Sequence, residues 1–229
     1  METFFFVLEV IGVIAFAVSA TVAAIDNEVD LFGALLLSII TCFGGGMMRD
    51  VMIGDTPRFF TNYFLILCSV LTCLVVFVGA AVHKKGYVKH ERIIDTVNNY
   101  FDAVGLGIFA VMGAKICISS GNDQALIAIS LGMVTAIGGG MIRDLCLDKI
   151  PFVLKKRVYA VAAIAGASLY YILWRFTELP EYASILIGVI TVFGIRVTAT
   201  RFKLNMPKAI IFSKDIEKEE EDPKVTVNK

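Results

Sequence analysis

The chain has 229 residues, 57% of them hydrophobic and only 18% charged, with 21 basic and 21 acidic side chains and no net charge. Soluble domains run nearer half apolar and a quarter charged. The excess falls in blocks that match the length of about 20 residues a helix needs to cross a bilayer, which excludes an ordinary soluble domain, and nothing in the balanced charge points to a nucleic-acid partner.

The first apolar run, Phe4 to Ala24, is interrupted only by Glu9. It lacks the basic start and small-residue cleavage signal of a removed leader, so it reads as a retained helix. The second runs from Leu31 toward Gly54 and carries "FGGGMMRD" at Phe43 to Asp50. The third is Tyr63 to Val82, and the fourth is Tyr100 to Ser119 with Lys115 late in it. The fifth, Ala125 to about Leu147, carries "IGGGMIRD" at Ile137 to Asp144. The sixth is Val158 to Trp174, and the seventh is Tyr182 to Thr200 with Arg196 near its end. From about Lys203 the chain is polar and contains "EKEEED", which reads as a solvated extension.

Basic residues set the expected orientation. Lys84, Lys85, Lys89 and Arg92 lie between spans three and four, and Lys149, Lys155, Lys156 and Arg157 lie before span six. The loops on the N-terminal side hold little beyond Arg58 and Arg175. The N-terminus is therefore expected outside and the C-terminus in the cytoplasm. "KKRVYA" at Lys155 to Ala160 is suited to touching anionic membrane lipid. His83 and His90 fall in a basic loop and read as solvated. The five cysteines, Cys42, Cys68, Cys73, Cys117 and Cys146, fit no metal spacing and read as small apolar helix residues. No nucleophile triad, P-loop or zinc motif is present, so neither an enzyme nor a cofactor or resident metal is expected.

The two triplets align at a constant offset. Thr41, Gly44, Gly45, Gly46, Met47, Arg49, Asp50 and Pro57 match Thr135, Gly138, Gly139, Gly140, Met141, Arg143, Asp144 and Pro151. Upstream, with a shift of one residue, Gly12, Phe16, Ala17 and Val18 match Gly105, Phe109, Ala110 and Val111. Each repeat holds three spans, and an odd number of crossings forces the second copy to enter from the opposite side. The expected fold is thus an all-α membrane protein, an inverted 3+3 repeat plus a seventh helix. The expected divisions are 1–95 for the first repeat and its following loop, 96–178 for the second, 179–203 for the seventh helix and 204–229 for the tail. Glycine-interrupted segments at matching places in inverted halves point to a binding or permeation site.

Each glycine weakens a helix interior by about 1 kcal/mol relative to alanine. Three together predict a kink or short unwound stretch in spans two and five. Carbonyls of Thr41, Phe43, Thr135 and Ile137 would then be free to replace water around a small cation. Buried charges in a membrane face the interior and pair, which suggests Arg49 with Asp144 and Arg143 with Asp50 across the pseudo-two-fold axis. Glu9 and Asp102 occupy matching positions, either as acids attracting cations at two mouths or as solvated interface groups. Lys115 either snorkels to the interface or serves as a plug or voltage-sensing charge. Arg196 and Arg201 read as headgroup anchors.

The paired "TxxGGGMxRD" motifs, the seven spans and the inverted repeat resemble the prokaryotic trimeric intracellular cation (TRIC) channels, a family also labelled glycine transporter. The resemblance covers about residues 5 to 200. It implies a homotrimer in a prokaryotic inner membrane, one pore per protomer, and conduction of potassium and sodium, the only ions expected at the site and there only in transit. It implies kinks at Gly44, Gly45, Gly46, Gly138, Gly139 and Gly140, in helices that line the pore with spans one and four. The family often has an acid two residues before the tyrosine that opens span six. Here Arg157 stands there, before Tyr159, so nothing built on that acid carries over. A secondary transporter of glycine or another small amino acid is the alternative, since helix ends and buried acids also suit a zwitterion.

Overall fold

The structure, a computed structural model, describes residues 2–83, 87, 91–155 and 158–202. Lys84, Lys85, Lys89, His90, Lys156, Arg157 and the tail from Lys203 lie outside them. Among the described residues, seven helices are long and apolar enough to cross a membrane. They are α1 (Glu2–Ile25), α2 (Leu31–Ile53), α3 (Tyr63–Val82), α4 (Glu91–Ser119), α5 (Ala125–Cys146), α6 (Val158–Phe176) and α7 (Glu181–Arg201). The protein is a multi-pass integral membrane protein. Span four differs from its expected start, because the helix continues through the polar stretch before Tyr100. Within that stretch Asn99 donates to the Asp95 carbonyl at 2.7 Å.

Local sequence explains where the helices begin and end. Asp30 caps α2 by accepting from the Gly33 amide at 2.7 Å, and Asn62 accepts from Leu65 at the start of α3. Helix α2 stops at Gly54, whose φ of 76° is the left-handed conformation of a C-terminal cap. The corresponding place after α5 is Asp148, with φ 53°. The turns after α1 and α4 match likewise, at Glu28 (φ 56°) and Gly121 (φ 88°). Among the described residues the four with positive φ thus form two repeat-related pairs, so the duplication is written in the backbone as well as in the motif.

Helices α1–α3 form one bundle and α4–α6 the other, and the two meet at a pair of crossings. At the first, Phe16 and Phe109 pack ring to ring at 5.0 Å. Each ring lies over the other repeat's glycine: Phe109 covers Gly12 and Phe16 covers Gly105, where any Cβ would overlap it. At the second, α2 crosses α5 at the triplets. Helix α3 fully buries only Leu65, Ser69 and Cys73, packs Ile66, Cys68 and Phe77 beside them and leaves its other face exposed, as suits a helix at the edge of the bundle that faces lipid. Helix α7 lies along α4 and α6. Gly107, Gly166 and Gly188 make that packing close, since a Cβ on any of them would come within about 3 Å of a carbonyl oxygen of the neighbouring helix.

Candidate functional site

The triplets do two jobs. Their first two glycines make the crossing. A Cβ on Gly45 would overlap the Thr135 carbonyl, and one on Gly139 would overlap the Thr41 carbonyl. A Cβ on Gly138 would lie 2.9 Å from the Gly45 Cα, and one on Gly44 3.4 Å from the Gly139 Cα. The α-helical pattern runs unbroken through both triplets. This departs from the unwound stretch expected there. The glycines are taken up in letting two backbones touch, and the Thr41 and Thr135 carbonyls lie against the facing helix. The threonine hydroxyls bond back to Leu37 and Leu131 at 2.7 and 2.6 Å.

The third glycine differs. A Cβ on Gly46 would meet only Arg49, at 3.7 Å, and one on Gly140 only Arg143 and Tyr159, at 3.9 Å. Both glycines face cavities. The cavity beside Gly46 opens on the face of the membrane where the chain begins, here the N-side, and holds about 260 Å³. Phe43, Gly46, Met47, Arg49, Asp50, Arg58, Phe59 and Leu65 form its wall, with Glu9 above them and Phe109, Met112 and Thr135 of the second repeat behind. The cavity beside Gly140 is its repeat-related counterpart on the opposite face, the C-side. Its wall is Ile137, Gly140, Met141, Arg143, Asp144, Phe152, Val153 and Tyr159, position for position the repeat partners of those eight. It holds only about 10 Å³, close to the space of a single water.

The arginine–aspartate pairs flank these cavities, and here the expected pairing is corrected. Arg49 donates through Nε and Nη2 to Oδ1 of its own neighbour Asp50, at 2.8 and 2.6 Å. Arg143 does the same to Asp144, at 2.9 and 2.8 Å. The free oxygen of each aspartate holds the turn that follows: Asp50 Oδ2 accepts from the Arg58 amide at 2.9 Å, and Asp144 Oδ2 from the Phe152 amide at 2.7 Å. The cross-axis pairing fails for a geometric reason. The repeats are inverted, so the two aspartates lie beyond the crossing in opposite directions, roughly 15 Å apart at 1.5 Å of rise per residue. Arg143 also reaches Ser19 of α1 at 3.3 Å.

Glu9 lines the N-side cavity, Asp102 lies behind the C-side one against its wall residue Tyr159, and each meets an arginine, but not an equivalent one. Glu9 pairs with Arg58 at 3.3 Å, and the Arg58 side chain is half exposed. Asp102 accepts from Tyr159 at 3.2 Å and lies 3.5 Å from Arg196 of α7. The Arg196 guanidinium stands 4.7 Å from the Tyr159 ring centre and 5.3 Å from that of Phe152. Arg196 is 2% exposed, which corrects its reading as a headgroup anchor, while Arg201 is exposed. Lys115 is partly buried. It stands 3.7 Å from Glu181 at the start of α7 and 3.9 Å from the Phe5 ring centre. Among the described residues no cluster of three metal-ligating side chains occurs.

This arrangement has known relatives. The glycine transporter family model matches residues 6–81 and 99–175, the two three-helix bundles. The chain is 32% identical over 205 residues to a UPF0126 membrane protein of Vibrio cholerae, covering 88% of this chain and 81% of that one. It is 34% identical over 203 residues to one of Deinococcus radiodurans, covering 87% and 89%. Among solved structures it resembles a prokaryotic TRIC channel in 0.5 M KCl, with a TM-score of 0.79, 28% identity and coverage of 90% and 100%. It also resembles the trimeric intracellular cation channel orthologue from Rhodobacter sphaeroides, with a TM-score of 0.77, 30% identity and coverage of 87% and 98%. The chain belongs to the family that carries both labels, glycine transporter and prokaryotic TRIC channel.

The residue of this TRIC-type site that sequence reading placed wrongly, at the headgroups, is Arg196. A signal was present. Ser184, Gly188, Val192 and Arg196 recur every fourth residue and all are buried. Small residues on one helix stripe mark the packed face, and Arg196 continues that stripe. TRIC channels are not enzymes, and nothing in the site suggests catalysis.

Proposed function

We propose that the protein is a channel for monovalent cations, potassium and sodium, with one pore through each protomer of a homotrimer. The observation that carries this reading is the pair of repeat-related cavities that approach the triplet crossing from opposite faces. Each has two acids and two arginines in or beside it: Glu9, Asp50, Arg49 and Arg58 on the N-side, and Asp102, Asp144, Arg143 and Arg196 on the C-side. Acids in a low-dielectric wall concentrate cations. The paired arginines keep the empty site neutral, which limits the cost of burying charge. For conduction, α2 and α5 move apart from the backbone contact that closes the crossing here, and carbonyls of Thr41, Phe43, Thr135 and Ile137 then supply oxygen ligands in place of water. The N-side faces out of a prokaryotic inner membrane, membrane lipid surrounds the trimer, and no cofactor takes part.

A transporter of glycine or a similar zwitterion is the second reading. The N-side cavity favours it, since an acid and arginines face one space large enough for such a solute. Planar-bilayer recording of the purified protein under a potassium chloride gradient separates the two. Unitary steps reversing near the potassium potential support the channel. A silent bilayer together with saturable glycine uptake into liposomes replaces it with the transporter.

A further inference from the structure

Eight wall positions of the two cavities correspond by repeat, yet the volumes differ, about 260 to 10 Å³. The wall substitutions alone do not account for this. Leu65 becomes Tyr159, a gain of bulk, but Arg58 becomes Phe152 and Phe59 becomes Val153, which roughly offset it. What the N-side lacks altogether is a seventh helix. On the C-side, α7 carries Arg196 to the rings of Tyr159 and Phe152 and to Asp102, the repeat partner of Glu9.

We propose that Arg196 is a tethered cation that competes with the permeant cation for Asp102, so that α7 controls entrance to the pathway from the C-side. The proposal rests on the channel reading above. Its geometry is specific. The guanidinium approaches the carboxylate without satisfying itself: at 3.5 Å its Nη2 makes no hydrogen bond, and neither does its buried Nε. Asp102, by contrast, keeps a hydrogen bond from Tyr159. An arginine taken from water normally retains several bonds, and one held by a single long ion pair and two ring faces is weakly committed to its place. A small cation arriving at Asp102 therefore displaces it without breaking a hydrogen bond from Nε or Nη2. The helix that carries it is one continuous segment, Glu181–Arg201. Its far end is held by the Lys115–Glu181 pair and by the long 3.5 Å bond from Tyr170 to Glu181. Its middle packs at Gly107, Gly166 and Gly188, with Val192 seated against Gly166 and Val111 against Gly188. On the N-side the equivalent acid faces Arg58, a half-exposed loop side chain that can swing into water. The N-side acid is open to cations and the C-side acid is occupied.

The third glycine of each triplet gives a paired test, because both sites tolerate a Cβ in ordinary contact. With the five native cysteines replaced by alanine, Gly46→Cys and Gly140→Cys are introduced separately, and the protein is held in nanodiscs so that both faces are wet. Reaction with a positively charged methanethiosulfonate is followed by intact mass. Cys at position 46 reacts readily and Cys at position 140 does not. Adding Arg196→Gln raises the rate at position 140 by at least about tenfold, in proportion to the fraction of open cavities, and leaves position 46 unchanged. Arg196→Lys, which keeps the charge and loses the planar contact with the rings, gives an intermediate rate. Wild-type currents recorded in parallel separate the two claims. Conducting wild-type protein with position 140 equally unreactive in both Arg196 variants overturns the competition while the channel stands. If the glutamine variant does not assemble, a rate in the lysine variant equal to that with Arg196 overturns it. A silent wild-type protein overturns the channel reading and the competition with it.

Discussion

The two bundles have one blueprint and different finishes. In both, an arginine folds back on the next aspartate, and that aspartate pins a turn eight residues on. In both, two glycines make the crossing and a third faces a cavity. The N-side cavity is a vestibule and the C-side one is filled. The fourth charge of each cavity shows how the difference arose within one charge plan. Arg58 supplies it on the N-side, but its repeat partner is Phe152, and the C-side takes its arginine from α7 instead. Duplication fixes the scaffold, and an element outside the duplication decides which half is open.

Substitutions can break or sharpen that comparison. The largest effects belong to the crossing, where the halves are equivalent. Gly45→Leu and Gly139→Leu each drive a side chain into a backbone carbonyl that cannot yield. Both should lose the assembled protein on size-exclusion chromatography, and to the same degree. If only one does so, the crossing is not symmetric in energy.

Next come the buried pairs. Asp50→Asn and Asp144→Asn each leave a buried arginine short of its counter-charge, which costs about 3–5 kcal/mol and frees the following turn. Both should lower the thermal midpoint in detergent. Asp144 should be the more sensitive, because Arg143 lies against the closed cavity with little water to take over.

Smaller effects separate the halves. Arg58→Gln removes an exposed pair worth about 0–1 kcal/mol, so stability should hardly change while cation current from the N-side shifts modestly. Lys115→Gln loosens the far end of α7. A small fall in thermal midpoint is expected, with a change in current larger than that seen for Arg58→Gln. The reverse order would uncouple α7 from conduction.

Much of this was legible in the chain. The seven spans, the inverted repeat and the charged motif follow from hydropathy and from two octapeptides. The triplets were legible as a special place, but their three glycines were not separable by sequence, because which faces a helix and which faces a cavity depends on the partner helix. The pairing of Arg49 and Arg143 was misread because inversion moves equivalent residues to opposite faces, a distance the sequence does not print. Arg196 was misread because nearness to a helix end suggested the headgroups, when its four-residue register with Gly188 placed it on the packed stripe.

The central claim is that ions cross each protomer through its own pair of cavities. It is tested most directly by recording single channels of the cysteine-free protein carrying Gly46→Cys while a positively charged methanethiosulfonate is added from the N-side. A pore in each of three protomers predicts that the full current falls in three equal, irreversible steps. A single step to zero, or no change while mass analysis shows position 46 modified, would contradict the account.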